Sequence, residues 1–290
     1  MAKLRIKKGT HALNRSVGGD IAINTILVLF GAFMFIPMFY AIIQSLKPLD
    51  ELWVFPPRFF VVNPTMKNYG DLFRLMSTSW VPFSRYIFNT LLVSVSGTLG
   101  NLLLASVSAY ALFKIKFPGR KILFTIITYS LMFNATVTTI TNFLTMSFLG
   151  WIDTYLALIV PAFAWTLGLY LMGQFMDSNI PDSIVESARL DGAGEWRTYW
   201  SVAMPIVKPA WLTLIILSFN MMWGQGASIF IQSEELKTFS YAIGQILAGG
   251  IVRAGAGAAS VVIMMVVPIT VFVISQSSII ETMASSGMKD

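Results

Sequence analysis

The stretch that decides the fold lies near the start of the chain, at residues 21–43, and reads IAINTILVLFGAFMFIPMFYAII. It contains no charged residue, and a helix needs about 20 mostly apolar residues to cross the hydrocarbon core of a bilayer. Lipid offers backbone N–H and C=O groups no hydrogen-bond partner, so only helices and closed barrels cross it. We therefore predict that this stretch spans a membrane as a helix.

The same pattern recurs along the chain. The further predicted spans are Asn89–Leu112, Ile122–Leu144, Leu156–Met176, Pro209–Trp223 and Gly257–Ile280. None of them shows the alternating period of a barrel strand. The composition agrees, because 56% of the residues are hydrophobic and 12% are charged, which is unlike a soluble globular chain. We predict an all-α polytopic membrane protein with six transmembrane helices.

Lysine and arginine side chains predict the orientation, since they concentrate in short cytoplasmic loops. With the N-terminus inside, 13 of the 20 fall in inner segments, and five of the other seven lie in one long outer loop. The inner segments are then 1–20, 113–121, 177–208 and 281–290, and the larger outer ones are 44–88 and 224–256. The formal charge of +6 mostly reflects this bias, so we do not interpret the basic tail as a nucleic-acid site.

The chain lacks the residues that several classes of function require. The chain has no cysteine and one histidine, His11, so thiolate metal sites, disulfides and histidine-based triads are excluded. It has no G-x-x-x-x-G-K-[ST] loop, so another subunit would have to hold ATP. No paired carboxylates lie within the spans, and we predict no catalytic or metal site and no enzyme activity. The first apolar run is about twice a signal-peptide h-region, so it is expected to be a retained span.

The outer segment 44–88 is rich in proline and aromatic residues, which predicts short helices at the membrane surface. Its rings either dock an extracytoplasmic partner or form an aromatic belt at the lipid headgroups, and we favour the belt. These rings are Trp53, Phe55, Phe59, Phe60, Tyr69, Phe73 and Trp80.

The inner loop 177–208 is a polar stretch between two apolar runs. Pro181 suits the first turn of a helix, and Asp182 and Glu186 complement the positive end of the helix dipole. Gly192, after Asp191, can take the left-handed conformation that ends a helix. These residues predict a short helix from Pro181 to Leu190.

A second short helix is predicted after Gly194, and Pro205 is expected to end it. Its aromatic stripe, spaced for one helical face, consists of Trp196, Tyr199, Trp200 and Ala203. The two helices would meet at a glycine corner as an elbow. The side chains that this elbow is expected to expose are Glu186, Arg189, Asp191 and Glu195. Such an elbow either fits a groove on a partner or is an ordinary interfacial connector, and the residues alone leave both interpretations open.

This loop resembles a signature of bacterial permeases. Permease subunits of binding-protein-dependent ABC importers carry E-A-A-x3-G-x9-I-x-L-P, and the chain reads Glu186-Ser187-Ala188, then Gly192, then Val202-Ala203-Met204-Pro205. The spacing matches throughout, and each departure keeps size or apolar character. The strings Ala188–Ala193 and Lys208–Ala210 are similar to the carbohydrate-uptake branch, the maltose-type permeases. Further matching strings are Asn68-Tyr69, Arg85–Thr90, Tyr110–Leu112 and Lys116–Arg120.

The resemblance implies a multi-pass permease subunit of the bacterial cytoplasmic (inner) membrane, forming half of the path for a sugar or oligosaccharide. The implied partners are a second homologous permease, two ATP-binding subunits and an extracytoplasmic solute-binding protein. ATP and Mg would be bound by the ATPases, leaving this chain without a cofactor. In the family the loop is the coupling helix, and the coupling residues carried over are Glu186, Ser187, Ala188, Arg189, Asp191, Gly192, Trp196 and Pro205. The tail ends Met288-Lys289-Asp290, which departs from the family's usual ending and leaves its contact with the ATPases open.

Uncharged hydrogen-bonding groups and rings in the third and fifth spans suggest a solute path. The candidates are Tyr129, Phe133, Asn134, Thr138, Thr141, Asn220, Trp223 and Gln225. The alternative is that the Asn and Thr side chains join helices through hydrogen bonds. Small residues of the second span are expected to be close-packing surfaces, and these are Ser94, Gly97, Thr98, Asn101 and Ala105.

Two rival functions remain. One is an ABC permease for a solute other than a sugar, because solute choice depends on the binding protein and on pore residues. The other is an ion-coupled secondary transporter, which usually needs ionisable groups near the membrane midplane and a repeated half. The spans contain no charged residue well inside them, which weighs against the second rival. Arg253 is the one cation that we name for an acidic oligosaccharide, with a headgroup contact as its alternative role.

Overall fold

A computed structural model describes residues 17–77, 80–132, 135–226 and 229–286, and within these ranges the secondary structure is helical, without strands. This confirms the all-α prediction. The longer helices are α1 (Val17–Leu46), α4 (Phe83–Lys114), α12 (Lys208–Trp223) and α14 (Ala254–Ser286). The others are α2 (Leu49–Leu52), α3 (Lys67–Ser77), α5 (Arg120–Ser130), α6 (Ala135–Phe148), α7 (Leu156–Phe163), α8 (Thr166–Asn179), α9 (Asp182–Leu190), α10 (Glu195–Thr198), α11 (Met204–Ile206) and α13 (Phe239–Ala248). A π-helical turn covers Tyr199–Ala203, and 3-10 turns cover Glu234–Leu236 and Ile251–Arg253.

Within these ranges, four helical segments are long and apolar enough to cross a membrane. They are Gly18–Leu46, Phe83–Lys114, Leu156–Asn179 and Ile251–Gln276. A fifth results if Glu195–Ile206 and Lys208–Trp223, which meet at 81°, are taken together. The span predicted at Ile122–Leu144 is divided between α5 and α6, and residues 133 and 134 lie outside the described ranges. The count of six spans and the orientation stay predictions.

Helix α4 lies at the centre of the packing, where it contacts α7, α8 and α12. Small residues allow this close approach. A Cβ added at Gly100 would lie 1.9 Å from Cε1 of Phe163, and one at Gly173 would lie 2.3 Å from Cε2 of Phe113. The small residues predicted to pack closely, Ser94, Gly97, Thr98, Asn101 and Ala105, are all buried. Interiors packed this tightly leave no room for an extra methyl group.

Helix α14 packs against α1, α3, α12 and α13. Helix α1 touches few other elements, and most of its large apolar side chains are exposed, including Leu27, Phe33 and Met34. A contiguous apolar surface of this extent suits lipid or another membrane subunit.

Two buried asparagines organise the end of the molecule where α4 begins at Phe83. The Asn68 side-chain N–H group donates to the carbonyls of Ser45 and Lys47 at 2.8 and 2.7 Å, which satisfies orphan carbonyls at the end of α1. The Asn89 side chain donates to the carbonyls of Glu235 and Lys237, both at 2.8 Å. Each asparagine therefore fixes a loop to a helix.

The turn between α6 and α7 is fixed to residues 232–233 by one carboxylate. Asp153 has φ 62°, which is left-handed backbone for a residue other than glycine. Its Oδ1 accepts the backbone N–H groups of Gln232 and Ser233 at 2.9 and 2.8 Å, and its Oδ2 accepts the Ser233 hydroxyl. The hydrogen bonds from Ser233 hold the pKa of Asp153 below its usual value.

Candidate functional site

The inner loop folds as the predicted elbow. Helix α9 runs from Asp182 to Leu190, and the chain turns at Gly192 before α10 begins at Glu195. Gly192 has φ 80°, and its N–H group donates to the Arg189 carbonyl at 3.0 Å. This φ confirms the predicted left-handed glycine at the end of the first helix. Glycine suits the position because a residue with a side chain would be strained at this φ.

The second helical segment of the elbow ends at Ile206, one residue after the predicted end at Pro205. After α10, the π-helical turn leads into α11, which contains Pro205 and ends at Ile206. Proline has no N–H group to donate, and it follows directly on the π-helical turn Tyr199–Ala203, where the spacing of the helical hydrogen bonds changes. The chain bends at Val207 instead, with φ −93° and ψ 20°.

The aromatic stripe forms a cluster but not a uniformly buried face. The rings of Trp196 and Trp200 each contact the ring of Tyr199, with centroids 6.0 and 4.9 Å away. Tyr199 is 2% exposed, whereas Trp196 and Trp200 are 67% and 53% exposed. Tyr199 therefore anchors the arm, and the two tryptophans offer apolar surface.

Three residues of α4 bind the elbow from beneath. The hydroxyls of Ser106 and Tyr199 are 2.6 Å apart, and the Tyr110 hydroxyl donates to Oε2 of Glu195 at 2.9 Å. Lys114 Nζ donates to the Ile180 carbonyl at 2.6 Å and to Oδ1 of Asp182 at 3.0 Å. These roles of Ser106, Tyr110 and Lys114 were not predicted from the sequence. Their spacing of four residues, ending in a lysine at the end of an apolar span, was the available signal.

The elbow is also braced by an ion pair within it. Arg189 Nε lies 2.8 Å from Oε1 of Glu195, and another guanidinium N–H group donates to the Lys114 carbonyl at 3.1 Å. Arg189 and Glu195 were predicted to be exposed, and their side chains are 34% and 44% accessible. Arg189 and Glu195 point largely at each other, so each charge is partly neutralised by its partner within the elbow. At the start of α9, the hydrogen bond from Lys114 holds the pKa of Asp182 below its usual value.

The remaining signature residues form the outer face of the elbow. Glu186 is 60% exposed at its side chain and lies 3.8 Å from Lys116 Nζ. Leu190 is 88% exposed, which is unusual for a leucine in a short amphipathic helix. The other exposed members of the predicted set are Ser187, Asp191, Gly192 and Pro205, whereas Ala188 is half-buried. This face combines two acidic groups, Glu186 and Asp191, with the apolar surface of Leu190.

The candidate path residues differ in their exposure. Tyr129, Thr138, Thr141 and Asn220 are exposed on α5, α6 and α12. Trp223 is buried, and its indole N–H group donates to the Met264 carbonyl at 2.9 Å. The backbone carbonyl of Gln225 accepts a hydrogen bond from the Thr238 hydroxyl at 2.9 Å. Phe133 and Asn134 lie outside the described residues.

Comparison with known proteins gave concordant results. The family model described as "Binding-protein-dependent transport system inner membrane component" matches residues 101–283. The sn-glycerol-3-phosphate transport system permease protein UgpE of Yersinia enterocolitica is 27% identical over 211 residues, covering 72% of this chain and 74% of the relative. The diacetylchitobiose uptake system permease protein NgcG of Streptomyces coelicolor is 26% identical over 206 residues, covering 70% and 65%.

One solved structure has a similar fold. It is the crystal structure of a bacterial ABC transporter involved in the import of the acidic polysaccharide alginate. One of its chains superposes with a TM-score of 0.73 at 24% identity, and the match covers 91% of this chain and 98% of that chain.

Proposed function

Because this chain belongs to the inner membrane components of binding-protein-dependent transport systems, we propose that it is the permease subunit of an ATP-driven importer for a sugar or oligosaccharide. The match of the family model over residues 101–283 carries this proposal. The relatives named for glycerol-3-phosphate and diacetylchitobiose uptake support a carbohydrate or a carbohydrate-derived solute. The chain then supplies movement and a path, and it performs no chemistry.

The partners in this proposal are a second homologous permease, two ATP-binding subunits and an extracytoplasmic solute-binding protein. The ATPases bind ATP and Mg and carry out hydrolysis. The outer face of the elbow, with Glu186, Leu190 and Trp196 exposed, docks in a groove of one ATPase. When ATP draws the two ATPases together, each elbow is displaced as a rigid body and the spans change from inward-open to outward-open. A loaded binding protein biases this cycle through its differential affinity for the two states.

The solute path in this proposal is lined by uncharged polar groups and rings. Its members are drawn from the predicted candidates Tyr129, Phe133, Asn134, Thr138, Thr141, Asn220 and Gln225. Trp223 is the weakest of the candidates, because its indole N–H group is already satisfied by the Met264 carbonyl. Hydroxyl and amide groups suit a polyhydroxylated solute, since they replace the hydrogen bonds that it gives up to water.

The first experiment isolates the detergent-solubilised chain from its native host and identifies what co-purifies by mass spectrometry. We expect an ATPase, a second permease and a solute-binding protein. The complex is then reconstituted in liposomes and tested for ATP-driven uptake of labelled sn-glycerol-3-phosphate, diacetylchitobiose and alginate oligosaccharides. A chain that is recovered alone and transports without ATP refutes the proposal.

A charge reversal tests the docking face within the same preparation. Glu186→Lys should weaken recovery of the ATPase at matched salt, because Glu186 is exposed on the elbow. Asp50→Lys is the matched control, since Asp50 is exposed in α2, beyond the other end of the spans. Equal recovery of the ATPase with both variants would count against an acidic docking face.

A further inference from the structure

A line of three polar residues runs along the half of α4 that ends at Lys114. Ser106, Tyr110 and Lys114 are spaced by four residues, which places them on one face of the helix. Together they cover about 12 Å of its length, at 1.5 Å per residue. We call these three residues the α4 ladder.

Each member of the α4 ladder binds a different segment of the elbow. Lys114 binds the start of α9 through Ile180 and Asp182. Tyr110 binds the start of α10 through Glu195. Ser106 binds the π-helical turn through Tyr199. Both arms of the elbow are therefore attached to the same helix, on either side of the glycine corner.

The side chains of the α4 ladder are buried, whereas the carboxylates of Asp182 and Glu195 that two of them bind are partly exposed. Ser106 is 0% and Tyr110 is 3% exposed, and the Lys114 side chain is 3% exposed. A buried ammonium group is tolerated only where acceptors surround it, and Lys114 has a backbone carbonyl and a carboxylate. An apolar residue at this position would pack without that requirement, so packing alone does not explain a lysine here.

We propose that Ser106, Tyr110 and Lys114 are positioning residues that join the elbow and α4 into one rigid body, so that a push on the elbow moves α4. This inference rests on the proposed function. Helix α4 in turn packs against α7, α8 and α12, and it carries the displacement into the centre of the bundle. Attachment at a single point would leave a pivot, whereas three attachments on both arms resist rotation of the elbow relative to the helix.

The test uses the complete importer in liposomes and the three labelled solutes named above. The measured quantity is the amount of solute imported per ATP hydrolysed. We expect hydrolysis to continue in Lys114→Met and Tyr110→Phe, while import per ATP falls about tenfold and about threefold, because the first change removes two hydrogen bonds and the second removes one. Lys114→Arg keeps the donor charge and should restore most of the coupling.

The controls remove the same chemical groups elsewhere. Lys121→Met removes a lysine that is exposed on α5, and Tyr170→Phe removes the hydroxyl of a half-buried tyrosine on α8 whose ring stacks on Phe124. Both should keep the import per ATP of the unmodified complex. If Lys114→Met fails to assemble, Tyr110→Phe and Ser106→Ala make the same test with smaller changes.

The outcomes separate this inference from the proposed function. If the unmodified complex imports a probe with ATP and the ladder variants keep its import per ATP, the inference is wrong and the proposed function stands. A parallel fall of hydrolysis and import, with the ratio unchanged, also refutes the inference, because it indicates lost stability only. If the unmodified complex shows no ATP-driven import of any probe, the proposed function fails and the inference fails with it.

Discussion

Substitution of Gly192 isolates the backbone conformation of the elbow corner. Gly192 has φ 80°, and a Cβ added there would meet no atom within 4 Å. The penalty of Gly192→Ala is therefore the cost of left-handed backbone alone, about 1–2 kcal/mol. Gly194, two residues on, is equally open but has φ −68° and ψ 161°, which any residue adopts. Gly194→Ala is thus a matched control that adds the same methyl group without the penalty.

The free-energy penalty at Gly192 sets the expected loss of affinity for a partner. A change of 1–2 kcal/mol alters a conformational population by about 5–30-fold, and the apparent affinity for a partner falls by at most the same factor. Asparagine tolerates left-handed backbone, so Gly192→Asn should be milder. Gly192→Pro should abolish ATP-driven uptake while leaving the protein in the membrane, because proline fixes φ near −65° and removes the N–H group that bonds to Arg189.

The assay titrates the purified permease pair with its ATPase subunits and measures the dissociation constant for each variant, followed by uptake in liposomes. We expect Gly194→Ala to match the unmodified chain, and Gly192→Asn, Gly192→Ala and Gly192→Pro to bind progressively more weakly. The reasoning fails if Gly192→Ala and Gly194→Ala bind the ATPases with equal affinity, since the corner conformation would then have no part in docking.

Three further predictions concern stability. Gly100→Ala should lower the free energy of unfolding by about 1–3 kcal/mol through overpacking, because its Cβ would lie 1.9 Å from Phe163; thermal melting in detergent measures this. Asp153→Ala should speed proteolysis of residues 229–237, since it removes the acceptor of the Gln232 and Ser233 N–H groups. The pKa of Asp182 is lowered in the folded protein, so its stabilisation is present above its unfolded pKa of about 3.9 and is lost as pH falls through the folded value. The melting difference between the unmodified chain and Asp182→Asn should therefore be constant from about pH 5 to 8 and shrink below about pH 4.

The first two of these predictions have control variants in the same chain, and the third has an outcome that would contradict it. Gly70 lies in α3, and a Cβ there meets nothing within 4 Å, so Gly70→Ala should not destabilise the protein. Asp153→Asn keeps a side-chain acceptor and tolerates the left-handed backbone, so it should protect the loop better than Asp153→Ala. A melting difference for Asp182→Asn that changes between pH 5 and 8 would show that another group governs the pH dependence.

The local sequence was sufficient to predict both that the chain is a membrane protein and that residues 181–205 form an elbow. An apolar run of sufficient length specifies a spanning helix whatever its neighbours are, because the bilayer itself acts as the solvent. The corner at Gly192 could be predicted in the same way, since the left-handed conformation depends on one residue and its own backbone. The end of the second helix, predicted at Pro205, lies one residue later at Ile206, which is within the usual precision of a helix boundary.

The contacts that organise the candidate site depended on tertiary structure. Tyr110 and Glu195 are separated by 85 residues, and Lys114 and Asp182 by 68. Such pairs form because α4 packs beneath the loop, and no periodicity within either segment encodes them. The same limit applies to Trp223, whose indole N–H group meets a carbonyl 41 residues away. The sequence by itself determined which segments are helical and where the elbow turns, since these follow from hydrophobicity and backbone sterics. Only the packing of distant helices decided which polar side chains are buried and paired, because a hydrogen bond requires both partners to be in place.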